Sequence, residues 1–173
     1  SIVPEAASLG ASAGVYVAST DGNDHLVGGP GPDWLMGGSG DDILEGGDGE
    51  DRLFGGAGND TYRLNVGFSE RDFVVDSGPA TDGDTLDFSQ QNKDEYVHIR
   101  LRDSFSDVAN QSNSIFAGIE VVIGSNGDSQ VDGNSANNVM YGRAGDDLFA
   151  GYYGNDTLYG GSGNDLLFGS HGD

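Results

Sequence analysis

Every nine residues the chain returns to the same pattern, and no other feature narrows its possible folds as much. Written in nines, residues 19–27, 28–36, 37–45, 46–54 and 55–63 read STDGNDHLV, GGPGPDWLM, GGSGDDILE, GGDGEDRLF and GGAGNDTYR. A second set fills residues 124–168, from GSNGDSQVD to GGSGNDLLF. Across these ten repeats position 4 is Gly in nine, with Ala136 the exception, and position 6 is Asp in eight, with Ser129 and Asn138 departing. Position 8 is apolar in all ten. Such a period marks a solenoid, where one repeat cannot bury its apolar residue alone and stacked neighbours share a core. A solvated acidic linker could have this composition, but it has no reason to place one large apolar residue in every nine.

About six residues of each repeat are turn-formers and about three can be strand, a length of ~10 Å. Two repeats therefore close one coil of 18 residues. Alternate repeats stack into two parallel sheets that face each other, with position 8 inward and positions 7 and 9 outward. In the GGxGxD turn, glycines at Gly22, Gly31, Gly40, Gly49, Gly58, Gly145, Gly154 and Gly163 meet a need for positive φ or close backbone approach. Those bends turn main-chain carbonyls into the gap between turns. The carboxylates of Asp24, Asp33, Asp42, Asp51, Asp60, Asp147, Asp156 and Asp165 complete an all-oxygen set. That set suits Ca²⁺, which takes about 6 to 8 oxygens, and does not suit zinc or copper.

Charge points the same way. Seven Lys and Arg stand against 29 Asp and Glu, a formal net charge of −22, so the chain repels phosphate backbones and anionic lipid and attracts cations. Nucleic acid is excluded as a partner, and no apolar run is long enough for membrane insertion. Cysteine is absent, which rules out thiolate metal sites. The opening at Ser1 reads as a segment of a longer chain.

These GGxGxDxUx repeats resemble the repeats-in-toxin (RTX) calcium-binding nonapeptide family. The resemblance implies an all-β, right-handed parallel β-roll in which several calcium ions lie between consecutive coils. Repeats n and n+2 would share each ion, pairing Asp24 with Asp42, Asp33 with Asp51, Asp42 with Asp60, and Asp147 with Asp165. Asn138 with Asp156 would be weaker, since an amide brings an oxygen without charge, and Ser129 with Asp147 weaker again. It also implies a secreted, extracellular bacterial protein. Its partners would be calcium, the remainder of the parent chain and the type I secretion apparatus.

The pattern divides the chain into a linker or cap (1–18), a first array expected to form one roll (19–63), a β-rich connecting segment (64–114) and a second array expected to form another roll, cut short at its C-terminal end (115–173). Within the segment, residues 79–87 form a degenerate repeat carrying Asp84 as a further metal ligand, and residues 95–103 alternate like a half-buried strand. Residues 115–123 return to frame with Gly118, Glu120 and Val122. The first array should bind calcium better, because all five of its position-6 residues are Asp. Asp41, Glu50 and Asp146 at position 5 are expected on a solvated face, and the outward stripe Trp34, Met36, Arg52 and Phe54 is expected to be covered by internal packing.

Residues 84–168 also resemble the C-terminal region of serralysin-type secreted metalloproteases. The zinc-binding HExxH of that family is absent, and His25, His98 and His171 stand alone in the sequence. No catalytic residues can be assigned, and the chain is expected not to be an enzyme itself. Two roles remain open: folding and secretion module of a larger extracellular enzyme, or spacer in an RTX adhesin or toxin that binds a carbohydrate or other surface ligand.

Overall fold

One inward apolar residue flanked by two outward ones makes each repeat a strand, and the glycine turns fold successive strands onto opposite faces of a shared core. The structure, a computed structural model, describes residues 14–65, 72–79, 82–91, 96–103, 115–169 and 171. It is a parallel β-roll. Its larger sheet contains β1 (Tyr16–Ala18), β3 (Trp34–Ser39), β5 (Arg52–Ala57), β7 (Phe73–Val75), β9 (Val97–Arg102), β10 (Ile115–Ala117), β12 (Ser129–Asp132), β14 (Leu148–Ala150) and β16 (Leu166–Phe168). The smaller contains β2 (His25–Pro30), β4 (Ile43–Asp48), β6 (Thr61–Arg63), β8 (Thr85–Asp87), β11 (Val121–Ile123), β13 (Val139–Ala144) and β15 (Thr157–Ser162).

Strand order in the larger sheet is β1-β3-β5-β7-β10-β9-β12-β14-β16, and in the smaller β2-β4-β6-β8-β11-β13-β15. Both arrays and the connecting segment therefore feed the same two sheets, so the described strands form one continuous roll where two were expected, and every pairing among them is parallel. In the arrays the register steps by 18 residues, Leu35 opposite Leu53 and Met140 opposite Leu158. Several strands run six residues where three are expected, because pairing continues through the two glycines into position 3, as in Gly38 with Gly56 and Ser39 with Ala57.

The core is the position-8 column. Leu26, Leu35, Leu44, Leu53, Tyr62, Val131, Met140 and Phe149 are buried, and Val74, Leu86 and Val122 continue the column through the segment and its return. Each buried Leu contributes about 1.5 to 3 kcal/mol relative to exposure. Leu158, in β15, is half-buried and Leu167, in β16, is exposed. The expected strand at 95–103 is present as β9, with Val97, Ile99 and Leu101 buried. It enters the larger sheet between β10 and β12, while β11 and β13 pair directly in the smaller one. The larger sheet thus gains one strand there, and Phe88, Phe116 and Ile119 join the core cluster with it.

The outward stripe is not covered among the described residues. Trp34 lies between Tyr16 and Phe54 at 6.0 and 5.8 Å, with the Arg52 guanidinium 6.0 Å from its ring, and Trp34 and Met36 remain exposed. The described residues of the connecting segment add strands edge to edge and do not pack across this face. On the smaller sheet the outward row His25, Glu45, Arg63 and Asp87 is joined by side-chain hydrogen bonds of 2.8 to 3.3 Å. Arg100 pairs with Asp132 at 3.1 Å.

Candidate metal sites

The position-6 residues form two ladders, one along each edge of the roll. On one edge the amide of Asp24 donates to Asp42 Oδ1, that of Asp42 to Asp60 Oδ1, and that of Asp60 to Asp84 Oδ1, at 2.8, 2.8 and 2.9 Å. The Asp84 amide then donates to Glu120 Oε2 at 3.1 Å, and that of Asn138 to Asp156 Oδ1 at 2.9 Å. On the other edge Asp33 donates to Asp51, Asp51 to Asp72, Ser129 to Asp147 and Asp147 to Asp165, at 2.8 to 3.1 Å. The n and n+2 neighbours expected from the sequence are therefore in contact, including the weak pairs Asn138 with Asp156 and Ser129 with Asp147.

In Asp33, Asp42, Asp60, Asp147 and Asp156 one carboxylate oxygen accepts an amide of the preceding coil. Oδ2 of Asp33, Asp42, Asp60, Asp147 and Asp156, and Oδ1 of Asp24, are buried with no hydrogen-bond partner among the described residues. A buried carboxylate oxygen without a partner costs several kcal/mol unless a cation or a proton meets it. The glycines show where that partner would go. A Cβ on the position-1 glycines Gly28, Gly37, Gly142, Gly151 and Gly160 would run into the Oδ2 of the same repeat's Asp. At Gly37 the Gly55 carbonyl of the next coil also lies 2.8 Å from that point. The turn thus encloses a small cradle lined by one carboxylate oxygen and one main-chain carbonyl, the donors a hard cation takes. The position-4 glycines do the bending: Gly22, Gly31, Gly40, Gly49, Gly58, Gly145, Gly154 and Gly163 all have φ between 105° and 141°.

With this geometry in place the family can be tested. The model of the RTX calcium-binding nonapeptide repeat matches in four copies, over residues 19–53, 27–62, 115–149 and 150–173, more than half of the chain. The chain belongs to the RTX calcium-binding repeat family. No curated protein matches it. Calcium is accordingly the ion that repeats of this family bind, and Asp24, Asp33, Asp42, Asp51, Asp60, Asp84, Asp147, Asp156 and Asp165 are the carboxylates that would hold it, with Asn138 offering an amide. Bound calcium supplies the positive charge that these rows of carboxylates lack.

Without that charge six of these carboxylates resist ionisation. Burial raises Asp33, Asp42 and Asp147 above the ordinary carboxylate range, outweighing the amide each accepts. Asp60 and Asp84 are pushed up to about 7, by burial first and then by carboxylates around them, Asp76 foremost. Glu120 is raised for the same reasons.

Three features of the site lie outside the sequence reading. Asp72 takes the ladder place between Asp51 and the next coil and is buried; the spacing of Asp72 to Val74 repeats positions 6 and 8, but the glycine turn before it is missing. Asp76 joins the ladder residues Asp60 and Asp84, with one carboxylate oxygen of each within 4.8 Å of the others. Position 5 forms a second ladder on the surface, running oppositely. Asn23 Oδ1 accepts from the Asp41 amide, Asp41 from Asn59, Asp128 from Asp146, Asp146 from Asn164 and Asn137 from Asn155, at 2.8 to 3.0 Å. Asp41 and Asp146 are thus exposed as expected but act as turn-to-turn acceptors. Asn or Asp at position 5 in eight of the ten repeats was the available signal.

Proposed function

We propose that this chain is the calcium-folded module of a larger secreted protein, exported unfolded by a type I apparatus and closed into its roll outside the cell. In this reading it serves the secretion and stability of an extracellular enzyme and catalyses nothing itself. The observation that carries it is the set of buried, unpartnered carboxylate oxygens in glycine cradles. A chain of net charge −22 cannot keep such oxygens ionised and closed up without cations. Ion binding then supplies folding energy, so fold and calcium concentration are linked. Calcium titration followed by circular dichroism tests this. The expected result is loss of β signal in EGTA and a folding midpoint of about 0.1 to 1 mM, as for extracellular calcium modules. A β spectrum indifferent to EGTA overturns the reading, and a submicromolar midpoint overturns its secretion part.

The outward aromatic row of exposed Tyr16 and Trp34 and half-buried Phe54 favours a second reading, a surface-ligand-binding segment of an RTX adhesin. Glycan-array binding abolished by Trp34→Ala supports it, and absence of binding by the calcium-loaded chain removes it.

A further inference from the structure

Where the first array meets the connecting segment, one turn departs from the repeat. In nine of the ten repeats position 1 is glycine, Ser19 being the exception, and at seven of these glycines a Cβ would strike the carboxylate of the same repeat. The coil stacked on Gly55 opens on Asp76 instead. Its amide donates to the carbonyl of Ala117, as the position-1 amides of Gly133 and Gly151 donate to Ala150 and Phe168, so Asp76 occupies the glycine place. A side chain is tolerated there because the next ladder carboxylate, Asp84, lies eight residues on, against five from Gly55 to Asp60.

The side chain is also held. Tyr62, fully buried in the core, donates its hydroxyl to Asp76 Oδ2 at 2.7 Å and accepts the Gly55 amide at 2.7 Å, and the Gly56 amide reaches the same Oδ2 at 3.3 Å. Tyr62 is the one tyrosine in the position-8 column, whose other members have no hydroxyl to reach into a turn. Around Gly78 the Gly56 carbonyl, Asp76 Oδ1 and Asp82 Oδ2 converge, 2.5, 2.9 and 3.1 Å from where a Cβ would stand. Independently of this acidic grouping, Asp60 is completely buried and its Oδ2 has no hydrogen-bond partner among the described residues.

We propose that Asp60, Asp76 and Asp84 form a further calcium site at this junction, one that offers three carboxylates where a repeat pair offers two. It rests on the calcium reading of the repeats and adds to it a ligand that no repeat position supplies. Because affinity for calcium rises with ligand charge, this site fills before those of the arrays. Its ligands come from both sides of the junction, so filling it ties the connecting segment to the first array. Tyr62 is a positioning residue, acting through Asp76.

Two measurements decide it. Crystals of the full chain loaded with Tb³⁺ should show an anomalous peak bounded by the three carboxylates. Peaks in the arrays with none at the junction overturn the proposal alone, whereas no peak anywhere overturns the calcium reading beneath it. Competition titration with a chromophoric calcium chelator should show one ion bound more tightly than the rest, and Asp76→Asn, which keeps the acceptor for Tyr62, should weaken that ion by at least about tenfold. An Asp76→Asn titration superimposable on that of the parent, in a protein that still binds calcium, leaves Asp76 as a mere partner of Tyr62.

Discussion

Replacing Asp42 by Asn separates the two things its carboxylate does. Oδ1 accepts the Asp24 amide at 2.8 Å, and Asn keeps that acceptor. Oδ2 is buried without a partner beside the Gly55 carbonyl, and Asn puts an N–H donor in its place. The chain already contains one buried amide at this position, turned the other way, with its oxygen toward the glycine of its own turn and its N–H toward the preceding coil. Asn138, fully buried at position 6, accepts the Asn134 amide at 3.1 Å and points its Nδ2 at the Ile119 carbonyl, 3.5 Å away. Without calcium, Asp42→Asn should therefore stabilise the roll, by about 1 to 3 kcal/mol, by removing an uncompensated buried charge.

With calcium the sign of the effect on binding is opposite. A site held at a hundred times its Kd contributes about 2.7 kcal/mol, and a tenfold weaker one about 1.4. Asp42 stands between Asp24 and Asp60 and so serves two cradles. The stability gained on adding calcium should then shrink by about 2 to 3 kcal/mol in the variant. Urea unfolding in EGTA, with sucrose to bring the ion-free roll into range, and again in millimolar calcium measures both effects. An Asp42→Asn variant that is less stable than the parent in EGTA, or that gains as much from calcium, refutes the account of the cradle.

Other consequences are as direct. Asp60 and Asp84 sit near 7 when folded and ion-free, against about 4 when unfolded, so the folded state binds more protons between those values. Ion-free stability is thus fully present below about pH 4 and lost as pH rises through 7; acidifying the EGTA-treated chain should restore β circular dichroism, and calcium affinity should fall over the same window. Gly37→Ala places a methyl on Asp42 Oδ2 and beside the Gly55 carbonyl, and should cost at least about 2 kcal/mol in calcium, seen as a raised calcium midpoint. Arg143 and Tyr152 hold φ of 81° and 70° at position 2, where five of the ten repeats have glycine. Arg143→Gly and Tyr152→Gly should each stabilise the second array by about 0.5 to 1 kcal/mol in thermal unfolding.

What the sequence made legible is what repeats at a fixed distance. Contacts between coils fall at i and i+18 through both arrays, as in Asp24 with Asp42 and Ser129 with Asp147. A pattern of nine therefore names the core column, the ladder carboxylates and the bending glycines together. Between the arrays the separations become 21, 24 and 36 residues, at Asp51 with Asp72, Asp60 with Asp84 and Asp84 with Glu120. Periodicity then no longer says which residues are neighbours, and Asp72, Asp76 and the place of β9 beyond β10 escape it. Trp34 escaped for another reason: an outward position is apolar without regard to period, and only the packing of the segment decides whether it is covered.

The ladder itself survives these changes of spacing. The Asp60 amide meets Asp84 at 2.9 Å across 24 residues, much as Asp42 meets Asp60 at 2.8 Å across 18. Closing a longer loop costs little, about 0.6 kcal/mol per doubling of length. A misplaced ladder carboxylate would leave both a buried amide and an ionisable oxygen unmatched, which costs more. Turns in this roll can therefore lengthen while the strand ends stay fixed, and the extra residues are free to carry a side chain such as Asp76 into a gap that glycine otherwise keeps open.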